Sequence, residues 1–449
     1  MQLASSVPAL LRNICDAIAE RSDIASHSLR DQWHHLVLRP LLKLDANGCQ
    51  SSYILVVDAL DECDDDNIIR IILRLLADAR SLQTVRLRIF LTSRPELPIR
   101  YGFCQIPDAE HQDFVLHSIS PSIIDHDIRI FLEHNLRLIG QERSLDSSWP
   151  GEDIIRCLVR YASGLFIWAA TACRFIREGK RFAIKRLGMI LEGTSRAVTA
   201  PEQHLNKIYI FVLKHSISLD YADEEKKEFC GMLRYILGSV VVLLSPLSAC
   251  SLSKLLHVPK GDVDQILEDL HAILDIPKEP THPLRLHHPS FRDFLLTKER
   301  CSDSNFWVGE KQAHQTLADN CIRLMSTSLE QNICKLDAPG VLITEVESDR
   351  VKQCLPPEVQ YACLYWTQHL QKSGARLHDN DQVHRFLQTH FLYWLEALSW
   401  MRRISEGLLA ISSLESIVLV SLFPACHEYP TNLSFKHTTR PVYAHLFMT

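Results

Sequence analysis

The sequence lacks most of what would tie a chain to a narrow chemistry. Its 14 cysteines run from Cys15 to Cys426 without one C-x-x-C pair. Zinc knuckles and ribbons, which need paired thiolates, are therefore unsupported. A disulfide framework belongs to small secreted chains, not to one of 449 residues. Glycine is scarce at 15 and proline stands at 20, which excludes collagen-like and low-complexity composition. The most apolar stretches, Val240–Leu244 and Ile417–Phe423, fall far short of the ~20 residues of a membrane helix. Asp16 and Glu20 stand where a secretory signal would carry its apolar core. Lys+Arg 48 against Asp+Glu 54 gives a net charge of −6, so nucleic acid is not the expected partner. There is no H-E-x-x-H and no G-x-S-x-G, and no repeat at a period of roughly 20–50 residues. His34-His35 and His287-His288 are poor metal pairs, because neighbours on a helix or strand point apart. The expectation is a cytoplasmic protein with reduced thiols and no membrane partner.

What is present reads as a folded chain of several domains. Hydrophobic residues make up 46% and charged residues 23%, and the length suggests roughly three domains. Residues 1–45 have helical periodicity, with one face of Leu10, Leu11, Ile14, Ala17 and Ile18 and a second segment ending near Pro40. Tyr53–Val57 is a continuous apolar run, predicted as a strand buried on both faces of a parallel sheet. Asn67 to Leu82 reads as a helix and Leu87–Thr92 as a second strand, stopped by Pro95 and Pro98. Strand, helix, strand is one βαβ unit. A third strand is expected around Asp113–Leu116. Beyond residue 120 the pattern is helical, with amphipathic runs over Ile124–Leu138 and Ile154–Ala162 and a buried run over Gly164–Ile176. Helices through Met232–Leu237, Leu252–Leu256 and Val263–Leu274, then a hairpin of Ile276–Pro283 into Leu284–His287, make a winged-helix pattern. Its second and third helices carry Lys254, Lys260, Asp262, Asp264, Glu268 and Asp269, net acidic, which argues for packing rather than DNA binding. Residues 310–420 are helical with anchors Tyr361, Tyr365, Trp366, Phe391, Tyr393, Trp394 and Trp400, and Pro424–Thr449 loses periodicity.

Two motifs carry chemistry. In Tyr53–Cys63, YILVVDALDEC, an acidic residue ends a parallel strand and so faces the crevice where α/β folds bind ligands. Asp58 there would hold a Mg²⁺-bound water, with Asp61 and Glu62 near a γ-phosphate and an attacking water. The plainer alternative is a solvated acidic loop capping the next helix, favoured for Asp64–Asp66. The second motif is Thr92-Ser93-Arg94-Pro95, whose Arg94 at the next strand tip can reach a phosphate.

Together these motifs resemble the NACHT nucleotide-binding region of the fungal STAND proteins, relatives of vegetative-incompatibility proteins and NOD-like receptors. YILVVDALDEC resembles their Walker B motif and LRIFLTSRPE their sensor-1 strand. Ala162–Ala169 resembles the GLFIWA helix of the lid, although a buried packing helix is the simpler reading. Leu286–Leu295 resembles the winged-helix segment whose histidine touches the β-phosphate of ADP. By position that residue is His288, with a capping or packing role as the alternative. The resemblance spans about residues 1–420.

The Walker A motif G-x-x-x-x-G-K-[ST] is missing: the only Gly-Lys step is Gly179-Lys180, with Arg174 where the first glycine belongs. The resemblance implies that the chain begins after the P-loop and lacks C-terminal repeats, as a truncated gene would. The expected fold is thus an α/β partial P-loop NTPase core (1–120), then an all-α lid (121–222), a winged-helix-like domain (223–300), a helical domain (301–423) and a divergent tail (424–449). The resemblance implies an ATP/ADP switch with Mg²⁺ for the intact family, here impaired in nucleotide binding and hydrolysis, with no bound cofactor as one outcome. The alternative is a nucleotide-independent scaffold or decoy that associates with full-length relatives. Protein partners, by self-association or with those relatives, are expected in either case.

Overall fold

A computed structural model describes the chain outside residues 1–7, 22, 25–26, 45–51, 64–65, 80–85, 95–96, 108–110, 115–118, 147, 194–200, 219, 337–347 and 423–449. It is mostly helical and divides into two compact units, Met1–Ser118 and Ile119–Thr449.

The first unit opens with α1 (Pro8–Glu20) and α2 (Leu29–Trp33), whose N-cap Ser28 accepts the Asp31 N–H. A π turn over His34–Leu38 joins α2 to α3 (Arg39–Leu44). The helical path therefore passes through Pro40 instead of ending near it. Proline donates no N–H, and the wider turn before it, closed by Arg39 N–H on His34 O, absorbs the misfit. Then come β1 (Ser52–Val57), α4 (Asp66–Asp78) and β2 (Arg86–Leu91), and the two strands are parallel from Ser52↔Arg86 to Val57↔Leu91. The strands fall within a residue of their predicted limits; α4 is helical to Asp78, and its expected end at Leu82 lies outside the described residues. Pro98 opens α5 (Leu97–Phe103), where proline's fixed φ suits a first turn.

The alternation of a strand sends Tyr53, Leu55 and Val57, with Leu87, Ile89 and Leu91, to one face. There Tyr53 and Leu87 pack on Leu10 and Leu41, and Val57 and Leu91 pack with Leu60, Ile69, Leu73 and Ile99. The other face is open: Ile54, Val56 and Phe90 are 68%, 59% and 55% exposed. Burial on both faces, expected from the apolar run, is thus not what this unit shows. Nor do Asp113 and Phe114 form a strand; Val115 and Leu116 lie outside the described residues.

The second unit begins with α6 (Pro121–Glu142), whose Ile128, Leu132, Leu136 and Ile139 form a fully buried stripe at helical spacing. Next is α7 (Glu152–Ala162). Ser163 and Gly164, both with positive φ, turn the chain into α8 (Phe166–Glu178), which buries Trp168, Ala172, Phe175 and Ile176. Then follow α9 (Ala183–Gly193), α10 (Pro201–His215), α11 (Asp223–Val242), α12 (Ala249–Leu256) and α13 (Lys260–Leu267). The third helix of the expected trio stops at Leu267, not Leu274. Its continuation is a series of turns leading to β3 (Leu274–Asp275), which pairs antiparallel with β4 (Arg285–Leu286). The hairpin thus starts earlier and is shorter than expected.

After α14 (Ser290–Leu296) come α15 (Glu310–Ser328), α16 (Ser348–Cys354), α17 (Pro357–Ser373), α18 (Gln382–Trp400) and α19 (Ile404–Leu422). Trp366 and Trp394 are fully buried edge to face with centroids 5.6 Å apart, and Trp394 Nε1–H donates to Cys363 O at 2.9 Å. A polar chain crosses the same core. Leu244 N–H donates to Tyr361 Oη (3.1 Å), which lies 2.7 Å from His369 Nε2, and His369 Nδ1 lies 2.7 Å from His314 Nδ1. A buried tyrosine O–H needs an acceptor, so His369 accepts at Nε2 and donates from Nδ1. Burial, then His314 and Lys372, pushes the His369 imidazole down to about 3, so it is neutral. The predicted tail, 424–449, lies outside the described residues.

Candidate functional site

The parallel register of the first unit brings two strand tips side by side, and the site grows from that register. Thr92 N–H donates to Val57 O at 2.9 Å, extending the ladder one residue beyond the strands. The chain then bends sharply at Ala59, which holds a left-handed φ of 52°. That conformation costs a non-glycine residue about 1 kcal/mol. Two bonds to Thr92 hold it: Ala59 N–H donates to Thr92 Oγ1 at 2.8 Å and Leu60 N–H to Thr92 O at 3.0 Å. Thr92 in turn donates its hydroxyl proton to Asp58 Oδ1. Asp58 is exposed, and its second oxygen meets no other donor among the described residues.

One turn further, Asp61 lies on a short 3₁₀ turn, Leu60–Glu62, and is only 8% exposed. Its Oδ1 accepts the Arg94 N–H at 2.9 Å and the Ser93 hydroxyl at 3.2 Å, and its Oδ2 lies 3.4 Å from Arg94 Nε. Asp61 is thereby fastened to the Ser93-Arg94 segment. Arg94 is 42% exposed and pairs with this carboxylate instead of projecting alone from the strand tip. Glu62, on the same turn, is exposed and engages no donor among the described residues.

Asp58, Asp61, Glu62 and Arg94 are thus brought together. Of the three carboxylates, Asp61 has its charge and lone pairs committed, whereas Asp58 and Glu62 face solvent. Thr92 and Ser93, part of the second motif but not singled out there as site residues, are what tie the two strand tips together.

His288 belongs to the second unit and has a network of its own. Its Nδ1 accepts the Ser290 N–H at 3.1 Å and lies 2.7 Å from Ser290 Oγ, which is 2.8 Å from Tyr209 Oη. The imidazole therefore caps the first turn of α14. Beside it, His287 Nε2–H donates to His271 O at 3.0 Å, and burial, then Arg174, holds His287 below the usual histidine range.

Among the described residues no group of three or more His, Cys, Asp and Glu is placed to hold a metal ion by itself. No helix among them is long and apolar enough to cross a membrane.

The family model for the N-terminal region of nephrocystin 3 matches residues 1–94, which include both strand tips. The chain is also 27% identical over 398 residues to the vegetative incompatibility protein HET-E-1 of Podospora anserina, covering 83% of this chain. Both matches agree with the resemblance to fungal NACHT-region proteins drawn from the sequence motifs. The chain spans 27% of the length of HET-E-1.

Proposed function

We propose that this chain carries part of a nucleotide-controlled signalling switch, with the paired strand tips as the edge of its nucleotide site. The observation that supports this reading is the Asp58–Thr92 bridge beside the Asp61–Arg94 lock, at the carboxyl ends of two parallel strands. Asp58 suits a water-mediated contact to Mg²⁺, because one oxygen is fixed by Thr92 and the other faces solvent. Glu62 is the carboxylate open to a phosphate-bound water. Asp61 acts by setting the position of Arg94, which a phosphate would draw away from it. Mg²⁺, when bound with ATP or ADP, would neutralise the phosphates that these side chains face.

In this reading residues 1–120 are the partial α/β core of a P-loop NTPase. Residues 121–222 are its lid, 223–300 a winged-helix module with His288 as phosphate contact, and 301–423 a helical region. The protein works in the cytoplasm and signals by binding other proteins. The residues given hold no P-loop motif, and backbone donors of that loop supply most phosphate affinity. We therefore expect neither saturable ADP binding nor ATP hydrolysis by these residues alone. Turnover that Asp61→Asn or Glu62→Gln abolishes would refute that. A fusion placing a relative's P-loop segment before Met1 should retain ADP, and Asp58→Asn should weaken its Mg²⁺ dependence about tenfold or more. A fusion that binds no nucleotide would sink the switch reading.

One observation favours a second reading, a nucleotide-independent scaffold or decoy that associates with full-length relatives. The face bearing Ile54, Val56 and Phe90, with Arg88 among them, is open. Co-purification with a full-length relative, unaffected by nucleotide and lost on Phe90→Ser, would select it.

A further inference from the structure

Cys334 and Cys354 are distant in sequence and come from separate pieces of the second unit, the turn after α15 and the last position of α16. Two side chains fix the turn. Glu396 of α18 accepts the Asn332 and Ile333 N–H groups at 3.1 and 3.2 Å, just before Cys334. Arg350 of α16 then grips the far side, donating from Nε to Cys334 O at 3.0 Å and from Nη2 to Lys335 O at 2.7 Å. Arg350 and Cys354 are four residues apart on one helix and so share a face. The arginine that clasps the Cys334 carbonyl therefore sets Cys354 on the side of α16 that faces this turn, and the Cys354 thiol is near enough to Cys334 to raise its thiol.

We propose that Cys334 and Cys354 are an oxidisable pair, joined as an intramolecular disulfide when the protein meets a peroxide. The two sulfurs differ in access. Cys334 is fully enclosed, whereas Cys354 is half-buried. Oxidation begins at Cys354: its thiolate attacks one peroxide oxygen, the O–O bond breaks and water leaves, giving a sulfenic acid. The Cys334 sulfur then attacks the Cys354 sulfur, the S–O bond breaks, and the departing hydroxide takes the Cys334 thiol proton as water. Hydrogen peroxide accepts two electrons and becomes two waters, and the two thiols supply those electrons. Burial, then Cys354 itself, pushes the Cys334 thiol up to about 11, so little thiolate exists at neutral pH. The product ties α16 covalently to the turn after α15.

Cys321 and Cys363 are the internal contrast. They also lie close to each other but are both fully enclosed, with burial pushing Cys363 up to about 12. No side of that pair is open to the oxidant.

The test treats the full folded chain with hydrogen peroxide until exposed Cys15 and Cys104 are oxidised, then alkylates remaining thiols and maps peptides. The expected product is one peptide pair joined through Cys334 and Cys354, two hydrogens lighter than its parts and separated by reductant. Cys321 and Cys363 should remain thiols. Cys354→Ser, at a half-buried position, should abolish the joined peptide while Cys334 is recovered as a thiol. Recovery of both Cys334 and Cys354 as alkylated thiols, or either joined to a different cysteine, would overturn the proposal.

Discussion

The two units of this chain solve the problem of burying a backbone in opposite ways. The second closes its hydrogen bonds inside helices and gathers one continuous core that runs from Ile128 to Val418. The first relies on two strands, divides its buried residues into two small clusters and leaves one sheet face open. A helix arrives with its amides satisfied, whereas a strand borrows partners from neighbours. With only two strands, each has an edge facing no strand among the described residues. The difference predicts unequal stability along one chain.

Limited proteolysis tests that inequality most directly, because the expected outcome is nearly all or none. A resistant fragment should begin between about residue 120 and residue 200, with the first unit cut away early. Uniform protection from residue 1, with a single cooperative melt, would erase the contrast. The next effect is confined to the helical unit. Trp366→Ala removes a fully enclosed indole and should cost about 3–5 kcal/mol by denaturant titration. A loss under 1 kcal/mol would mean that the core is looser than its packing implies.

Acid should also separate the two units. His369 is held near 3 in the folded protein, against about 6.5 when unfolded. A histidine with a depressed folded value leaves the unfolded chain binding more protons between those limits. Stability of the second unit should therefore be full above pH 6.5 and fall as pH drops towards 3. His369→Gln should flatten that part of the melting-temperature profile; an unchanged profile would remove His369 as its source.

Within the first unit, Asp61→Ala strips the acceptor from the Arg94 N–H and Ser93 hydroxyl and should cost about 1–3 kcal/mol. Hydrogen exchange at the Arg94 amide should rise with it. The smallest effect is Ala59→Gly, which removes left-handed strain and should be neutral or stabilise by up to about 1 kcal/mol. A clear destabilisation would show that the Ala59 methyl packs usefully.

Much of this architecture could be read beforehand, and the misreadings share a cause. The two long strands were legible because runs of β-branched and aliphatic residues between polar bounds have few other uses. Which face would be covered was not, since Ile54 and Val56 look the same in sequence as Leu55 and Val57. The overlong helix after Val263 arose because Val263, Ile266, Leu267, Leu270, Ile273 and Leu274 are spaced as on a helix. Beyond Leu267 that spacing is produced by successive turns, closed by Leu270 N–H on Leu267 O and Ile273 N–H on Leu270 O. Every third or fourth residue still faces inward, so periodicity alone cannot separate the two. At the strand tips, Asp58 and Arg94 stood out by type and place. The bond from Arg94 N–H to Asp61 spans 33 positions and exists only through the register of Val57 with Leu91. No local pattern encodes that register.

The chain from Leu244 through Tyr361 and His369 to His314 has one more consequence. Two helices held together by aliphatic side chains can slide or roll past each other through a series of nearly equivalent settings. α15 and α17 carry, besides their greasy contacts, the buried His314–His369 pair, and α17 is tied in turn through Tyr361 Oη to the Leu244 N–H beyond α11. A roll of either helix would strand these buried imidazoles in a place that water does not reach. The pair is therefore indexed like a keyed shaft, and a force applied to one helix is handed to the other without slippage.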